Sequence, residues 1–161
     1  LIENYIKFKK PLIDENLTYL KNEIDQYLDR NFELFSELTI KFKLFNYMIT
    51  GIIDLLITNE KLNEILIIDF KTGIRKKENE ELYWFQLTAY AYGLFELNKL
   101  KNSDKVKIQI IYLDEKQKVE RVLSFMDAKN YLFSYWVKLN SFDRPNLNHC
   151  SNCEYNKICQ I

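Results

Sequence analysis

The fold of this chain is indicated by one stretch of sequence, GIIDLLITNEKLNEILIIDFKTG, which occupies residues 51–73. Two short and nearly all-apolar runs, 51–57 and 64–70, stand on either side of a polar turn. Runs of this kind are typical of strands buried on both faces, and the short turn predicts an antiparallel hairpin in the middle of a sheet. Each run is interrupted by one acidic residue, Asp54 in the first and Asp69 in the second.

The two aspartates are predicted to lie next to each other. If the turn is centred near Lys61 or Leu62, Asp54 lies opposite Asp69, and opposed residues of paired strands share a face. Side chains alternate along a strand, so Lys71 shares that face with Asp69. A buried carboxylate is costly unless it is paired or bound to a metal. The plainer alternative is that both aspartates are strand-end residues facing solvent, with Lys71 as their ion-pair partner.

Two clustered carboxylates and one ammonium are groups that suit phosphodiester hydrolysis. A divalent cation relieves the repulsion between the carboxylates, and hard oxygen ligands with open positions suit Mg²⁺ or Mn²⁺. Such a metal polarises a phosphate and lowers the pKa of a bound water. An ammonium can hold that water or stabilise charge on the phosphorane. The set Asp54, Asp69 and Lys71 therefore predicts a metal-dependent nuclease.

The remaining periodicities place this hairpin in an α/β domain. Alternating residues at 37–45 predict a further strand before the hairpin, and those at 105–113 and 118–124 predict a strand pair after it. Apolar residues at helical spacing predict three helices, over 13–31, 79–98 and 127–140. We expect a mixed β-sheet flanked by helices.

Composition limits what kind of protein this is. The chain has 161 residues and a mass of 19.5 kDa, which fits one domain spanning 1–161. Lysine plus arginine number 23 and so do aspartate plus glutamate, so affinity for nucleic acid would have to come from local patches. We find no apolar run long enough for a membrane span and no signal peptide, and we expect a cytoplasmic protein. Because the chain begins without methionine, we also expect a fragment of a longer one.

Three motifs together resemble the PD-(D/E)XK nuclease superfamily. They are Gly51-Ile52-Ile53-Asp54, then Ile68-Asp69-Phe70-Lys71-Thr72-Gly73, then Gln86-Leu87-Thr88-Ala89-Tyr90. More narrowly they resemble its RecB-like branch, which includes the nuclease domains of RecB, AddA and AddB and the CRISPR-associated adaptation exonucleases. The resemblance runs from about Glu37 to Tyr90 and implies a restriction-endonuclease-like core.

The resemblance implies roles for the residues of the hairpin. Asp54 and Asp69 would be metal ligands together with the main-chain carbonyl of Phe70, and Lys71 would be the catalytic lysine. Glu37 resembles a family glutamate near the metal, although it is nearly as well explained as a surface residue.

The resemblance also implies roles for the helix that follows. Gln86 and Tyr90 would lie beside the active site, orient the lysine and contact the DNA backbone. The ordinary alternative is that Gln86 is an exposed helix residue and that Tyr90 is an aromatic residue of the core. Two other aromatic residues, Tyr83 and Trp84, could stack on the bases of a single strand. Packing within the protein is their more ordinary role.

A candidate DNA-binding segment follows the lysine. Thr72, Arg75, Lys76 and Lys77 lie in the loop directly after Lys71 and are candidate phosphate contacts. The alternative is a solvated loop, because nearby glutamates partly cancel its charge. No residue indicates a base-specific contact.

The C-terminal tail, 145–161, contains every cysteine of the chain. Cys150, Cys153 and Cys159 resemble part of the iron–sulfur staple of AddB and the CRISPR-associated exonucleases. A [4Fe–4S] cluster would need a fourth cysteine that is not in this chain. His149 could be a fourth ligand, which would suit zinc as well as iron, and a set of free thiols is the remaining alternative. His149 is also the only histidine, whereas many RecB-like members carry an upstream histidine as a metal ligand.

Two main functions remain at this stage, beside a metal-binding redox or zinc module centred on the tail, which would explain only the cysteines. The first is a Mg²⁺- or Mn²⁺-dependent DNA nuclease, with exonuclease activity expected, acting in DNA recombination, repair or CRISPR adaptation. The second is a catalytically silent nuclease fold that binds DNA or serves as a scaffold in a helicase–nuclease complex. Expected partners are DNA and a helicase domain or subunit, without a membrane.

Overall fold

A computed structural model of the protein describes residues 14–28, 32–59, 61–100 and 104–140. Within these ranges the elements in chain order are α1 (Asp14–Leu28), β1 (Glu33–Leu44), β2 (Tyr47–Asn59), β3 (Glu64–Lys71), α2 (Lys77–Glu96), β4 (Val106–Tyr112), β5 (Gln117–Leu123) and α3 (Phe125–Asn140). The helices and strands predicted from the sequence are all present, with ends that differ by a few residues. The two outer parts of the first predicted helix lie outside the described residues.

The five strands form one mixed sheet in the order β1-β2-β3-β4-β5. The β1–β2, β2–β3 and β4–β5 pairs are antiparallel, whereas β3 and β4 are parallel. Two parallel neighbours need a long crossover connection, and α2, with 20 residues, is that connection. The sheet flanked by helices confirms the predicted α/β class.

The central strands are mostly apolar because both of their faces are covered. On one face Ile67 and Ile108 pack with Leu87 of α2, and we call this the α2-side core. On the other face Ile68 packs with Leu20 of α1, in the α1-side core. Burial on both faces removes the polar alternation that a half-exposed strand would show.

The β1–β2 hairpin changes its inward face at one point. Ile53 belongs to the α2-side core, yet Leu55, two residues further on, belongs to the α1-side core. Residues two apart on a regular strand share a face, so the alternation is interrupted at Asp54. Directly across, Glu37 has a left-handed backbone with φ of 52°, between the Ser36–Leu55 and Leu38–Ile53 pairs. From this point toward the β1–β2 turn, the hairpin packs against α2.

Two glycines allow this close packing. A side chain at Gly51 of β2 would overlap the ring of Tyr90 on α2. A Cβ at Gly93 of α2 would lie 2.5 Å from Cδ1 of Phe42 on β1. The absence of a side chain at each glycine is therefore what lets an aromatic ring from the opposite element approach.

This packing leads to a prediction for Gly93→Ala. Alanine is favoured over glycine inside a helix by about 1 kcal/mol, but overpacking a core costs about 1–3 kcal/mol. We expect the packing cost to win, with a net loss of stability of roughly 1 kcal/mol in urea unfolding. The control is the same change in a Phe42→Leu background, where the ring is gone and alanine should stabilise. Equal effects in both backgrounds would contradict this account.

No helix in the described part of the chain is long and apolar enough to cross a bilayer.

Candidate active site

The candidate site is centred on the last residues of β3. Ile67, Asp69 and Lys71 alternate along this strand and so share the face toward α2. Asp69 is only 4% exposed. The Nζ atom of Lys71 lies 2.7 Å from Oδ2 of Asp69. The predicted placement of an acid and a lysine on one face is therefore present, and the two form an ion pair there.

Asp54 lies beside this pair because of the hairpin register. The β2–β3 ladder ends with Leu55 opposite Ile68, one step before the position at which the same register would set Asp54 opposite Asp69. The ladder does not continue there. Instead Oδ2 of Asp54 accepts a hydrogen bond from the main-chain N–H of Phe70 at 3.0 Å. The carboxylate thus takes the place of a main-chain acceptor, next to the peptide that joins Asp69 to Phe70.

Helix α2 provides the opposite wall of the site. The ammonium of Lys71 lies over the ring of Tyr83, 4.3 Å from its centroid. Tyr83, Gln86 and Tyr90 are spaced three and four apart, so they share one face of the helix. The side-chain N–H of Gln86 donates to the hydroxyl of Tyr90 at 2.9 Å. Tyr90 itself is buried, with its ring against Gly51.

The loop after Lys71 is held by the β4–β5 turn. Alternate loop residues bind three consecutive turn residues: Leu113 N–H donates to the carbonyl of Lys71 at 2.9 Å, Gly73 N–H donates to Asp114, and Arg75 N–H donates to Glu115 at 2.5 Å. Asp114 also accepts from Nδ2 of Asn16 on α1 at 2.7 Å. The backbone that leaves the site is therefore fixed to the β4–β5 turn, and the turn is bonded to α1 through Asp114, which the sequence motifs did not predict.

The predicted DNA-binding loop divides into two kinds of residue. Arg75 forms an ion pair with Glu80 at 2.7 Å, and its guanidinium also faces the ring of Tyr112. The hydrogen bond from Arg75 lowers the pKa of Glu80, and the same bond raises the pKa of Arg75. Thr72, Lys76 and Lys77, in contrast, are exposed. To bind Arg75, a phosphate would have to compete with Glu80. To bind Thr72, Lys76 or Lys77, it would not.

The donor set suits a small divalent cation. Asp54 accepts a hydrogen bond from Phe70, the residue directly after Asp69, and the carbonyl of Phe70 belongs to the same short segment. Mg²⁺ is commonly bound by one or two carboxylates, with water and phosphate filling its other positions. Glu37 is exposed and lies across from Asp54 in the β1–β2 register. Among the described residues no three His, Cys, Asp or Glu side chains form a metal-binding group, so Glu37 is not brought into one with the aspartates.

The cysteine tail lies outside the described residues, and so do Cys150, Cys153 and Cys159.

Comparison with protein families supports the class that this geometry indicates. The model of the PD-(D/E)XK nuclease superfamily matches residues 12–160, and the chain therefore belongs to this superfamily. The five-stranded mixed sheet flanked by helices is its restriction-endonuclease-like fold. No curated protein sequence matches. Among solved structures, the crystal structure of SSO0001 is similar with a TM-score of 0.43 and 18% identity, over 98% of this chain and 74% of that one.

Proposed function

We propose that this protein is a Mg²⁺- or Mn²⁺-dependent deoxyribonuclease whose site consists of Asp54, Asp69 and Lys71. One observation carries the proposal: a buried aspartate and a lysine form an ion pair at the end of β3, and a second aspartate accepts a hydrogen bond from Phe70, which lies between them in the chain. Membership of a superfamily of nucleases supports the same chemistry. Asp69 is buried and Asp54 and Lys71 are partly buried, and the lower local dielectric there strengthens electrostatic interactions relative to those in water.

Asp54, Asp69 and the carbonyl of Phe70 would hold the metal in this proposal. When bound, the metal supplies Lewis-acid polarisation of the phosphate and an acidified water. The Asp54 carboxylate is oriented for this task by the N–H of Phe70, which fixes one of its oxygens at 3.0 Å. The fixed acid needs little rearrangement before binding, which is the benefit of a preorganised site.

Lys71 would act on the phosphate itself. Its ammonium has three N–H donors, and one of them is directed at Asp69. The other two can reach a phosphate oxygen or a water positioned by Asp69, where they stabilise the charge that develops during cleavage. Gln86 lies one turn from Tyr83 and is half-buried, so it suits a substrate contact better than buried Tyr90 does.

Several finer assignments belong to the same proposal. We place the protein in the RecB-like branch, as an exonuclease of DNA recombination, repair or CRISPR adaptation in the cytoplasm. Thr72, Lys76 and Lys77 would contact the DNA backbone, Glu37 would reach the metal through water, and a helicase domain or subunit would be a partner. The chain would be one domain, 1–161, of a longer protein, and the cysteine tail a structural iron–sulfur or zinc site.

The proposal predicts metal-dependent loss of end-labelled DNA. We expect linear DNA to be degraded with Mg²⁺ or Mn²⁺ and to stay intact with EDTA, because the carboxylates alone cannot polarise a phosphate. A closed circular plasmid is the matched substrate, and an exonuclease leaves it intact. Cleavage of both substrates would keep the nuclease and reject the exonuclease. Binding without cleavage of either would favour the scaffold function instead.

A further inference from the structure

We infer that Tyr83 is a positioning residue for Lys71, an inference that rests on the proposed function. The ammonium of Lys71 has two neighbours from two different elements. Oδ2 of Asp69, on the same strand, lies at 2.7 Å, and the ring of Tyr83, on α2, lies 4.3 Å away at its centroid. The lysine is thus held between a carboxylate and the face of an aromatic ring.

The two neighbours differ in what a divalent cation does to them. Asp69 is a proposed metal ligand, so a cation bound there draws on the same carboxylate that holds the lysine. The ring of Tyr83 attracts the ammonium through its quadrupole and is not a ligand for Mg²⁺, which prefers oxygen anions and carbonyls. The ring therefore keeps the flexible lysine stem in place when its carboxylate partner is shared with the metal.

Tyr83 is itself well fixed. Its neighbour Trp84 is buried in the α2-side core, and the indole N–H donates to Glu80 at 3.3 Å. Tyr83 packs against the same core and precedes Gln86 by three residues, on one face of the helix. Lys71 has a side chain that is only 21% exposed, so the cation and the ring meet in a partly desolvated place. Cation–π contacts are stronger there than on an open surface.

The first test observes the contact without any activity. A ring current shifts the resonances of groups above the ring upfield, so the Cε–Hε signal of Lys71 reports on Tyr83. We would record ¹³C spectra of lysine-labelled protein and assign this signal by its loss in Lys71→Arg. We expect it upfield in the wild type and in Tyr83→Phe, with and without Mg²⁺, and at its ordinary position in Tyr83→Leu. An upfield signal in Tyr83→Leu, or one that moves back when Mg²⁺ is added, would overturn the inference.

The second test separates positioning from packing. We expect Tyr83→Leu to lower kcat for DNA cleavage about 3- to 30-fold, with KM nearly unchanged, because a cation–π contact contributes on the order of 0.5–2 kcal/mol. Tyr83→Phe should retain the wild-type rate because it retains the ring. Tyr92→Leu, a tyrosine further along α2 that stacks on Phe125, is the matched control and should also keep its rate. Equal rates for Tyr83→Leu and Tyr83→Phe would refute the role.

The outcomes distinguish this inference from the proposed function. If the wild type cleaves no DNA, the nuclease proposal fails, and the Lys71 resonance alone then decides whether Tyr83 holds the lysine. If Tyr83→Leu melts below the assay temperature, Tyr83→Met replaces it, because methionine is unbranched and adapts to irregular cores.

Discussion

If the protein has the proposed function, we expect replacement of Lys71 with alanine to lower the rate of DNA cleavage by roughly 10²- to 10³-fold, which is the typical effect of removing one charge-stabilising donor from an active site. The affinity for DNA should change little, because the exposed Thr72, Lys76 and Lys77 remain. The measurement is the single-turnover cleavage rate of labelled DNA with saturating metal, beside a filter-binding measurement of Kd. A loss in rate without a loss in binding assigns the lysine to the transition state.

Lys71→Ala has a second, structural consequence that the same variant reveals. Removing the ammonium leaves Asp69, at 4% exposure, without its ion-pair partner on β3. Removing one member of a buried pair costs about 3–5 kcal/mol, and partial exposure of the lysine reduces this to roughly 1–3 kcal/mol here. Mg²⁺ should recover part of the loss, because a bound cation compensates the same carboxylate.

The control for both effects is Lys99→Ala, in the exposed turn after α2. It removes the same charge at the other end of the helix from Tyr83 and should leave the rate and the stability unchanged. A wild-type cleavage rate in Lys71→Ala would exclude this lysine from the reaction. An equal loss of rate in Lys99→Ala would show that the loss in Lys71→Ala comes from the change in net charge.

The centre of the site follows from the sequence because strand geometry is regular. Side chains alternate with a period of two, so the length of the turn between β2 and β3 sets which residues stand opposite. The observed pair of Leu55 with Ile68 has the register that a turn centred near Lys61 or Leu62 predicts. The ladder ends at that pair, so the placement of Asp54 opposite Asp69 stays a prediction, and what the structure adds is the hydrogen bond from the N–H of Phe70 to Asp54.

Contacts between the helix and the sheet do not follow in this way. Lys71 and Tyr83 belong to different elements, and their distance depends on how α2 lies across the sheet. Sequence spacing places Tyr83 on the face of Gln86 but does not say what that face meets. The hydrogen bond from the N–H of Gly73 to Asp114 is equally unpredictable from local spacing, since it joins residues 41 positions apart. Such contacts result from tertiary packing rather than from local pattern.

Residues with an unusual backbone conformation could not be predicted from the sequence either. The β1–β2 connection turns at Phe45 with φ of 53°, where glycine or asparagine would be usual. Glu37 has φ of 52° at the point where the hairpin changes its inward face. A glutamate or a phenylalanine gives no turn signal. β1 and β2 were predicted shorter than they are, and the bend of the hairpin over α2 was not predicted.

The charged loop shows how composition can overstate a binding surface. Arg75 looks like a phosphate contact from its position after Lys71, yet its guanidinium donates twice to Oε2 of Glu80, from Nε at 3.1 Å and from Nη2 at 2.7 Å. Glu80, which offsets the charge of Arg75 in the composition of the loop, also accepts hydrogen bonds from two of its N–H groups. Exposed Lys76 and Lys77 therefore remain the better candidates for phosphate.

Asp69→Asn should abolish the response of the protein to metal. A ligand that binds only the folded state stabilises it by about 2.7 kcal/mol at a hundred times its Kd, so we expect Mg²⁺ bound at the proposed site to raise the Tm of the wild type. Asparagine keeps the shape of the side chain but removes the anion. We expect the Tm of Asp69→Asn to be the same with Mg²⁺ and with EDTA, and its cleavage rate to fall at least as far as that of Lys71→Ala.

Asp104 provides the matched control for this result. It is also a buried aspartate, 6% exposed, but it lies before β4 and accepts a hydrogen bond from Asn63 at 3.2 Å. Asp104→Asn should lower the Tm without metal yet keep the increase on adding Mg²⁺, because its carboxylate is not at the site. If Asp69→Asn still gains stability from Mg²⁺ like the wild type, the metal binds elsewhere. The ion pair of Asp69 with Lys71 would then be a structural feature of β3, and the nuclease proposal would lose the observation that carries it.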